Sequence, residues 1–349
     1  MRLIKSLSLE EVEEYFLQSG EKKFRARCLF TWLYEKNVSS FDEMTDFSKA
    51  LRQKMSDDFI LSPLTLEDCV VSKIDGTEKY LFRTQDDHYI ESVFLKNDTT
   101  DEGRLTICIS SQVGCAMGCV FCQTAKLGFK RNLETGEILD QICQIRRLTG
   151  LKNNNIVFMG MGEPFMNYEN VIKAATIMNY TFGFHISVRR ITISTCGILP
   201  QIERFIDEGH LFNLALSLND TLPEKRKSSM PVENKWPMHE LASLFAKKLP
   251  RAHNRLTIEY VMRRDNISRE DAARLKKMFR YSRIKLNLIP LNTRDMSERP
   301  GDGAINAFLS ELESADVPVT VRKSLGLDID GACGQLSGKK YDAVNSINS

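Results

Sequence analysis

From about residue 104 the chain falls into a rhythm that few architectures accommodate, short apolar and β-branched runs separated by amphipathic stretches. The runs are "LTICISS", "NIVFMG", "RITIST", "FNLALSL", "RLTIEYVM", "IKLNLIPL" and "VPVTVR". Between them lie helix-like segments such as "ETGEILDQICQIRRLTG", "NYENVIKAATIMNY" and "DGAINAFLSELESAD". A strand reaches a parallel neighbour only through a crossover, so repeated strand–helix units imply a parallel sheet of the α/β class. Six or seven units predict an open or partial barrel, with function gathered where the strands end. The distinctive residues fall at such ends: Ser110 and Cys115, Gly160 to Pro164, Ser194, Ser217 to Asn219, and Pro290 to Asn292.

The first 75 residues read differently. "SLEEVEEYFLQSG" opens on a serine cap, carries acids in its first turn and stops at Gly20, as a short helix does. "FRARCLFTWLYEKN" and "SFDEMTDFSKALRQKM" add two more helical patterns, so residues 1–75 are expected to form a helical accessory domain. Alternation in "TEKYLFRTQDDHYIESVFLK" around a "QDD" turn predicts a β-hairpin linker over 76–103. The core then spans 104–335, and 336–349 form a tail.

No apolar run approaches the ~18 residues of a membrane span, and the N-terminus has no signal-peptide core, so a cytoplasmic protein without a membrane partner is expected. A net charge of +2 conceals an asymmetry. Residues 1–100 carry 14 Lys+Arg against 19 Asp+Glu, and the remainder 34 against 27. The basic excess comes as short groups, among them Arg146–Arg147, Arg189–Arg190 and Arg322–Lys323. Such groups grip phosphates or simply solvate a surface.

Nine cysteines in a reducing compartment are not a disulfide framework, and three of them are packed together in "CAMGCVFC". Cys115, Cys119 and Cys122 have the spacing C-x3-C-x2-C, and Cys108 stands just upstream. Structural zinc takes four closed ligands. An iron–sulfur cluster ordinarily takes four cysteines as well, so three would leave one iron open to substrate. Spacing alone leaves zinc and iron–sulfur as alternatives.

"CAMGCVFC" resembles the signature of radical S-adenosylmethionine (SAM) enzymes, whose fold is a partial (β/α)6 barrel. A narrower resemblance, to the RlmN family of RNA adenine-C2 methyltransferases, rests on "SSQVGC", "GFKRNL", "FMGMGEP", "RRITIST", "LTIEYVM", "NLIPLN", "DIDGACGQLSGKK" and the N-terminal "FRARCLFTWLYEKNVSSFDEMTDFSKALR". The resemblance implies a [4Fe–4S] cluster on Cys115, Cys119 and Cys122. It implies SAM contacts from Gly162, Glu163, Ser194, Ser217, Leu218, Asn219 and Asn292. Two SAM molecules are consumed per methylation: one methylates Cys333, and a second yields the radical that removes hydrogen from that S-methyl group. Cys108 is then the resolving partner of Cys333, and Glu91 or Cys108 takes the proton.

The implied substrates are an adenosine in the peptidyl-transferase region of 23S rRNA and the adenosine 3′ of the anticodon in tRNA, both unstacked bases. An electron-donating reductant such as flavodoxin and a monomeric state are implied too. Lys22, Lys23, Arg25 and Arg27 are candidate phosphate contacts in the accessory domain. This chain departs from the family pattern at Asn219, usually His, at Thr293, usually Pro, and at Gly331, usually Ala. The alternatives are C8 methylation of the same rRNA adenosine, as in the Cfr subfamily, and a non-catalytic RNA-binding protein with structural zinc. The proline of "GMGEP" favours C2.

Overall fold

The computed structural model describes residues 1–97, 104–152, 154–248, 256–279, 284–292, 298–313 and 317–339. Its main sheet has ten strands: β1 (Thr65–Val71), β2 (Glu78–Arg83), β3 (Tyr89–Asn97), β4 (Arg104–Cys108), β5 (Asn154–Phe158), β6 (Ile191–Thr195), β7 (Asn213–Ser217), β8 (Leu256–Met262), β9 (Ile284–Pro290) and β10 (Val319–Val321). They lie side by side in chain order. β1 to β4 pair antiparallel, and from β4 to β10 every pairing is parallel. β1 and β10 are the two edges, so the barrel is partial.

The hairpin region is therefore part of the sheet. Residues 65–71, inside the segment expected to be helical, form a strand that pairs with β2, and β3 pairs with β4 in the register Val93 to Cys108. The end of the expected linker, 98–103, lies outside the described residues, as does most of the tail.

Side chains alternate across a strand, and here the two faces have opposite character. One face buries Ile107, Ile156, Ile193, Leu214, Leu216 and Ile258 in the apolar core. The other carries Thr106, Cys108, Asn155, Thr257, Glu259, Lys285, Asn287 and Thr320 into the lumen. In a closed (β/α)8 barrel, layers of branched apolar side chains fill this space. Polar and small inward residues leave it open instead, as a cavity of about 590 Å³.

Helices Leu9–Gln18, Arg25–Phe30 and Lys49–Asp58 make up the N-terminal part. Ser8 caps the first, as the sequence predicts, and Glu11 completes a capping box. This part docks on helix Thr135–Thr149 through a fully buried ion pair between Lys5 and Asp140. The other Asp140 oxygen accepts from Leu64 N at 3.3 Å and Gln144 Nε2 at 2.9 Å. One carboxylate thus joins residues 5, 64 and 140 of three separate segments.

Removing one partner of a buried pair leaves an uncompensated charge, which costs ~3–5 kcal/mol. Asp140→Ala is expected to lower unfolding stability by about that amount in urea denaturation. The double change Lys5→Met with Asp140→Leu should recover most of the loss, because it strands no charge.

Candidate active site

The cysteine loop follows β4 and is bracketed by a small ribbon pairing Gln112–Gly114 with Phe129–Asn132. Gly114 has φ +71°, and a Cβ there would stand 1.8 Å from the Gly128 carbonyl oxygen, so no other residue fits. Two hydrogen bonds tie this loop to the C-terminal segment: Gln123 N donates to Gly334 O at 2.7 Å, and Thr124 Oγ1 to Leu336 O at 2.7 Å. They bring Cys333 beside the cysteine loop although two hundred residues separate them in sequence.

The loop after β5 carries Gly160 to Glu163. Ser110 Oγ receives Met161 N at 2.8 Å and donates to Glu91 O at 2.6 Å, and Gln112 Oε1 accepts from Glu163 N at 2.8 Å. Gly162, at φ +103°, passes so close to Gln112 that a Cβ would meet its side chain at 2.6 Å. The Glu163 carboxylate is buried, and accepts from Phe165 N at 3.0 Å and Cys196 N at 2.8 Å. Burial raises its pKa, against the lowering effect of those amides. Arg226, wholly buried, donates to Leu218 O at 3.0 Å and Cys196 O at 2.7 Å, fixing the ends of β6 and β7 against each other.

These loops enclose a second cavity, of about 170 Å³, at the C-terminal ends of the strands. Cys115, Cys119 and Cys122 line it, with Gly162, Glu163, Ser194, Ser217, Asn219 and Asn292. Leu218 does not; its side chain is in the core. Cys108 lines the larger lumen cavity. Cys333 borders both cavities, together with Met159, Glu259, Ile289 and Asn292. The structure therefore stacks two chambers with Cys333 in the partition.

Glu91 is the exception. Its carboxylate lines neither chamber. It is fully buried beneath the C-terminal segment, where it accepts from Ser337 N at 2.6 Å and Gly338 N at 2.8 Å, and Lys79 Nζ lies 3.1 Å away. The structure brings Glu91 to the segment that carries Cys333, and not to the chambers that Cys333 borders.

Glu259, Arg322 and Cys196 line the chambers and match none of the residues carried over by motif. Glu259 is buried, with Ser194 Oγ at 3.4 Å, Asn287 Nδ2 at 3.4 Å and the Arg322 guanidinium at 3.9 Å. Its signal in the sequence is an acid at an inward position of an otherwise apolar strand, "LTIEYVM".

Family comparisons agree on both parts of the chain. Residues 4–61 match the ribosomal RNA large subunit methyltransferase N-terminal domain, and residues 109–275 match the radical SAM superfamily. The chain is 41% identical to a probable dual-specificity RNA methyltransferase RlmN of Lachnospira eligens, over 98% of this chain and 97% of that one. It is 42% identical to the dual-specificity RNA methyltransferase RlmN of Geobacter sulfurreducens, over 96% of this chain and 92% of that one. The protein belongs to the RlmN family. A solved radical SAM methyltransferase from Sphaerobacter thermophilus superposes with a TM-score of 0.90, at 37% identity, covering 97% of this chain and all of that one.

RlmN membership makes the chain a radical SAM RNA methyltransferase whose cofactors are a [4Fe–4S] cluster and SAM. The residues present fit both. All nine cysteines are free thiols, and burial pushes Cys115 and Cys119 up to about 12, so holding them as thiolates calls for a cation. An iron–sulfur cluster, ordinarily held by cysteine thiolates, would supply that cation. Asn292 supplies the polar counterpart: its Nδ2 donates to Cys333 O at 3.3 Å, and its buried Oδ1 has no partner, as an acceptor awaiting a ligand would.

The departures from the RlmN pattern are also explained in part. Asn219 has φ +60°, a left-handed conformation that Asn adopts readily. Its Oδ1 accepts from Val261 N at 3.0 Å and its Nδ2 faces Met230 Sδ at 3.3 Å, so its side chain serves the turn. A Cβ on Gly331 would meet only ordinary contacts from 3.4 Å, so the glycine is not obligatory. Thr293 lies outside the described residues.

The Glu91 geometry makes a specific prediction. Glu91→Gln removes the charge from two charge-assisted hydrogen bonds, each stronger than its neutral equivalent by about 1 kcal/mol. In cluster-loaded protein without RNA, alkylation of Cys333, followed by peptide mass mapping, is expected to accelerate about thirtyfold, the factor that about 2 kcal/mol represents. An unchanged alkylation rate with methylation lost would instead mark Glu91 as a proton acceptor.

Proposed function

We propose that the protein makes 2-methyladenosine in RNA through a methyl group carried on Cys333. Its substrates are the adenosine in the peptidyl-transferase region of 23S rRNA and the adenosine 3′ of the tRNA anticodon. The observation that carries this reading is the position of Cys333 in the partition between two chambers, with Cys108 in one and three clustered cysteines in the other.

Adenine C2 sits between two ring nitrogens and is electron-poor, so it does not attack the electrophilic methyl of SAM. A carbon radical adds there. Cys115, Cys119 and Cys122 would hold the cluster, and Gly162, Glu163, Ser194, Ser217, the Leu218 backbone, Asn219 and Asn292 would hold SAM. When bound, these groups supply a transferable methyl and, separately, a radical able to remove a hydrogen atom.

The chain's own residues carry the rest. The Cys333 sulfur takes the methyl as a thioether, then loses one hydrogen atom from it, and the resulting methylene adds to adenine C2. Cys333 is then covalently joined to RNA as a radical adduct, from which C2 must lose its proton and the base one electron, for which the iron–sulfur cluster, when bound, would be the acceptor. Cys108 attacks the Cys333 sulfur, breaking its bond to the methylene carbon; that carbon takes a proton, and a Cys108–Cys333 disulfide remains. A reductant such as flavodoxin restores both thiols and supplies electrons for the next cycle. Arg322 supports this scheme, because its positive charge opposes the effect of burial on the Cys333 pKa. The reaction needs no second chain, consistent with a monomer.

The test uses anaerobically reconstituted protein over several turnovers, with methyl-deuterated SAM, a reductant and unmodified RNA. Digested RNA should yield 2-methyladenosine whose methyl lacks one deuterium. A methyl retaining all three deuteriums would sink the carrier scheme, and 8-methyladenosine would move the chemistry to C8. Cys333→Ala should abolish product while leaving iron and sulfide content unchanged.

A further inference from the structure

The strands of the barrel have two ends, and only one is occupied by the chambers' cysteines. At the other, where β5 and β6 begin, lies a separate pocket of about 260 Å³. Asn154 is the first residue of β5, Arg190 directly precedes β6, and Arg146 is in the last turn of helix Thr135–Thr149. With Lys152, His185 and Glu35 they line it. Two of the paired-arginine groups in the sequence, 146–147 and 189–190, thus each send one member to the same place.

The arrangement is built rather than incidental. Arg146 is 7% exposed, and its guanidinium lies 5.0 Å from the Phe184 ring centroid. Its Nε donates to Asn154 Oδ1 at 3.1 Å and its Nη2 to Lys152 O at 2.6 Å. Neither acceptor is a carboxylate, and burial without one depresses the Arg146 pKa to about 10. Among the described residues Arg146, Lys152 and Arg190 have no carboxylate partner. Lys152 Nζ meets only the Glu35 backbone carbonyl, at 3.1 Å.

Asn154 is the second, independent sign of a ligand. It is 1% exposed, and its Nδ2 has no hydrogen-bond partner. The Arg146 Nε–H can donate only to an oxygen, which fixes the amide orientation and leaves the NH2 as the unmet group. An unmet buried donor beside three cations, with Glu35 the one acid in the described lining, calls for an oxyanion.

The pocket also continues into the N-terminal domain. Its wall loop packs Phe182 under the Arg27 guanidinium, at 5.5 Å, and Phe182 O accepts from Thr31 Oγ1 at 3.1 Å. Arg27 is exposed there, whereas Arg25 is paired with Glu21 at 2.7 Å. Exposed cations therefore stand beside this pocket on both domains, Arg27 on one and Lys152 and Arg190 on the other, which suits a polyanion rather than a small solute.

We propose that this pocket binds one backbone phosphate of the RNA substrate, seating the RNA across the strand-start face of the barrel and the N-terminal domain. The proposal rests on the RNA methyltransferase reading and adds the place where the substrate is gripped outside the chambers.

The test compares holoenzyme with the exposed-residue double variant Lys152→Ala/Arg190→Ala and with Asn154→Ala, using unmodified tRNA and an rRNA fragment containing the target adenosine. In the double variant RNA affinity should fall about tenfold at low salt. Losing one phosphate contact should reduce the slope of log K against log salt by about 0.7–0.9. KM for RNA should rise with kcat retained, and iron content and RNA-independent methylation of Cys333 should be unchanged. Asn154→Ala should weaken RNA binding with little change in slope, since it removes a donor and no charge. Wild type that binds and methylates RNA alongside variants of undiminished affinity would overturn the phosphate site alone. Wild type that neither binds nor methylates RNA would overturn the functional reading with it. Inorganic phosphate binding that is lost in the double variant, with RNA affinity intact, would assign the pocket to a free anion and overturn the RNA proposal.

Discussion

A buried carboxylate holding two backbone amides is the contact on which the arrangement of this site depends. Cys333 sits on a segment without strand or α-helix to place it, and a thiol on such a segment is positioned only by what the segment grips. Glu91 accepts the Ser337 and Gly338 amides from below, while Gln123 and Thr124 reach the Gly334 and Leu336 carbonyls from the cysteine loop. Lys79 balances the Glu91 charge at 3.1 Å, so the anchor is desolvated without being left alone. Loosening it would not disturb β4 or the cysteine loop's own ribbon. The Cys333 thiol is thus held by interactions separable from those that hold the sheet.

The sheet, in turn, explains why two chambers exist. Strict chain order places the ends of consecutive parallel strands along one rim, so the loops after β4, β5, β6, β7 and β9 converge without any long connection. The inward residues of the same strands include Thr106, Asn155, Thr257, Glu259, Lys285 and Asn287, where a closed barrel would carry mostly branched hydrocarbons. One choice of residue type at alternate positions therefore leaves the lumen open, and the C-terminal segment divides it from the rim.

Much of this was legible in the sequence, and what was not has physical causes. The parallel strands announce themselves because both of their faces are interrupted by regular helices, and the cysteine loop because its spacing has few uses. β1 was not legible: "TLEDCVV" carries acids and lies at an edge, where one side is unpaired and the apolar alternation is weak. Glu91 was picked out as a residue but not as an anchor, since its partners are backbone amides some 246 residues away. Leu218 shows the converse, a motif position whose side chain is core and whose contribution to any site comes from its backbone. Arg226 was invisible for the same reason as Glu91, because it serves carbonyls that no side-chain pattern records.

The partition itself follows from the chemistry attributed to Cys333. A methylene radical must not meet water, a second thiol or the wrong face of a base before it meets C2. On the carrier scheme proposed above, the clustered cysteines on one side and Cys108 on the other would separate the step that creates the radical from the step that ends its covalent attachment. Glu259 and Arg322 border that division with opposite charges 3.9 Å apart, one near Ser194 and the other at the lumen wall. Cys333 borders both chambers from an irregular segment rather than from a strand, so one sulfur is within reach of each. Carrying this sulfur on an irregular segment, and fixing that segment with a buried carboxylate, sets the thiol between the chambers without a strand or helix of its own.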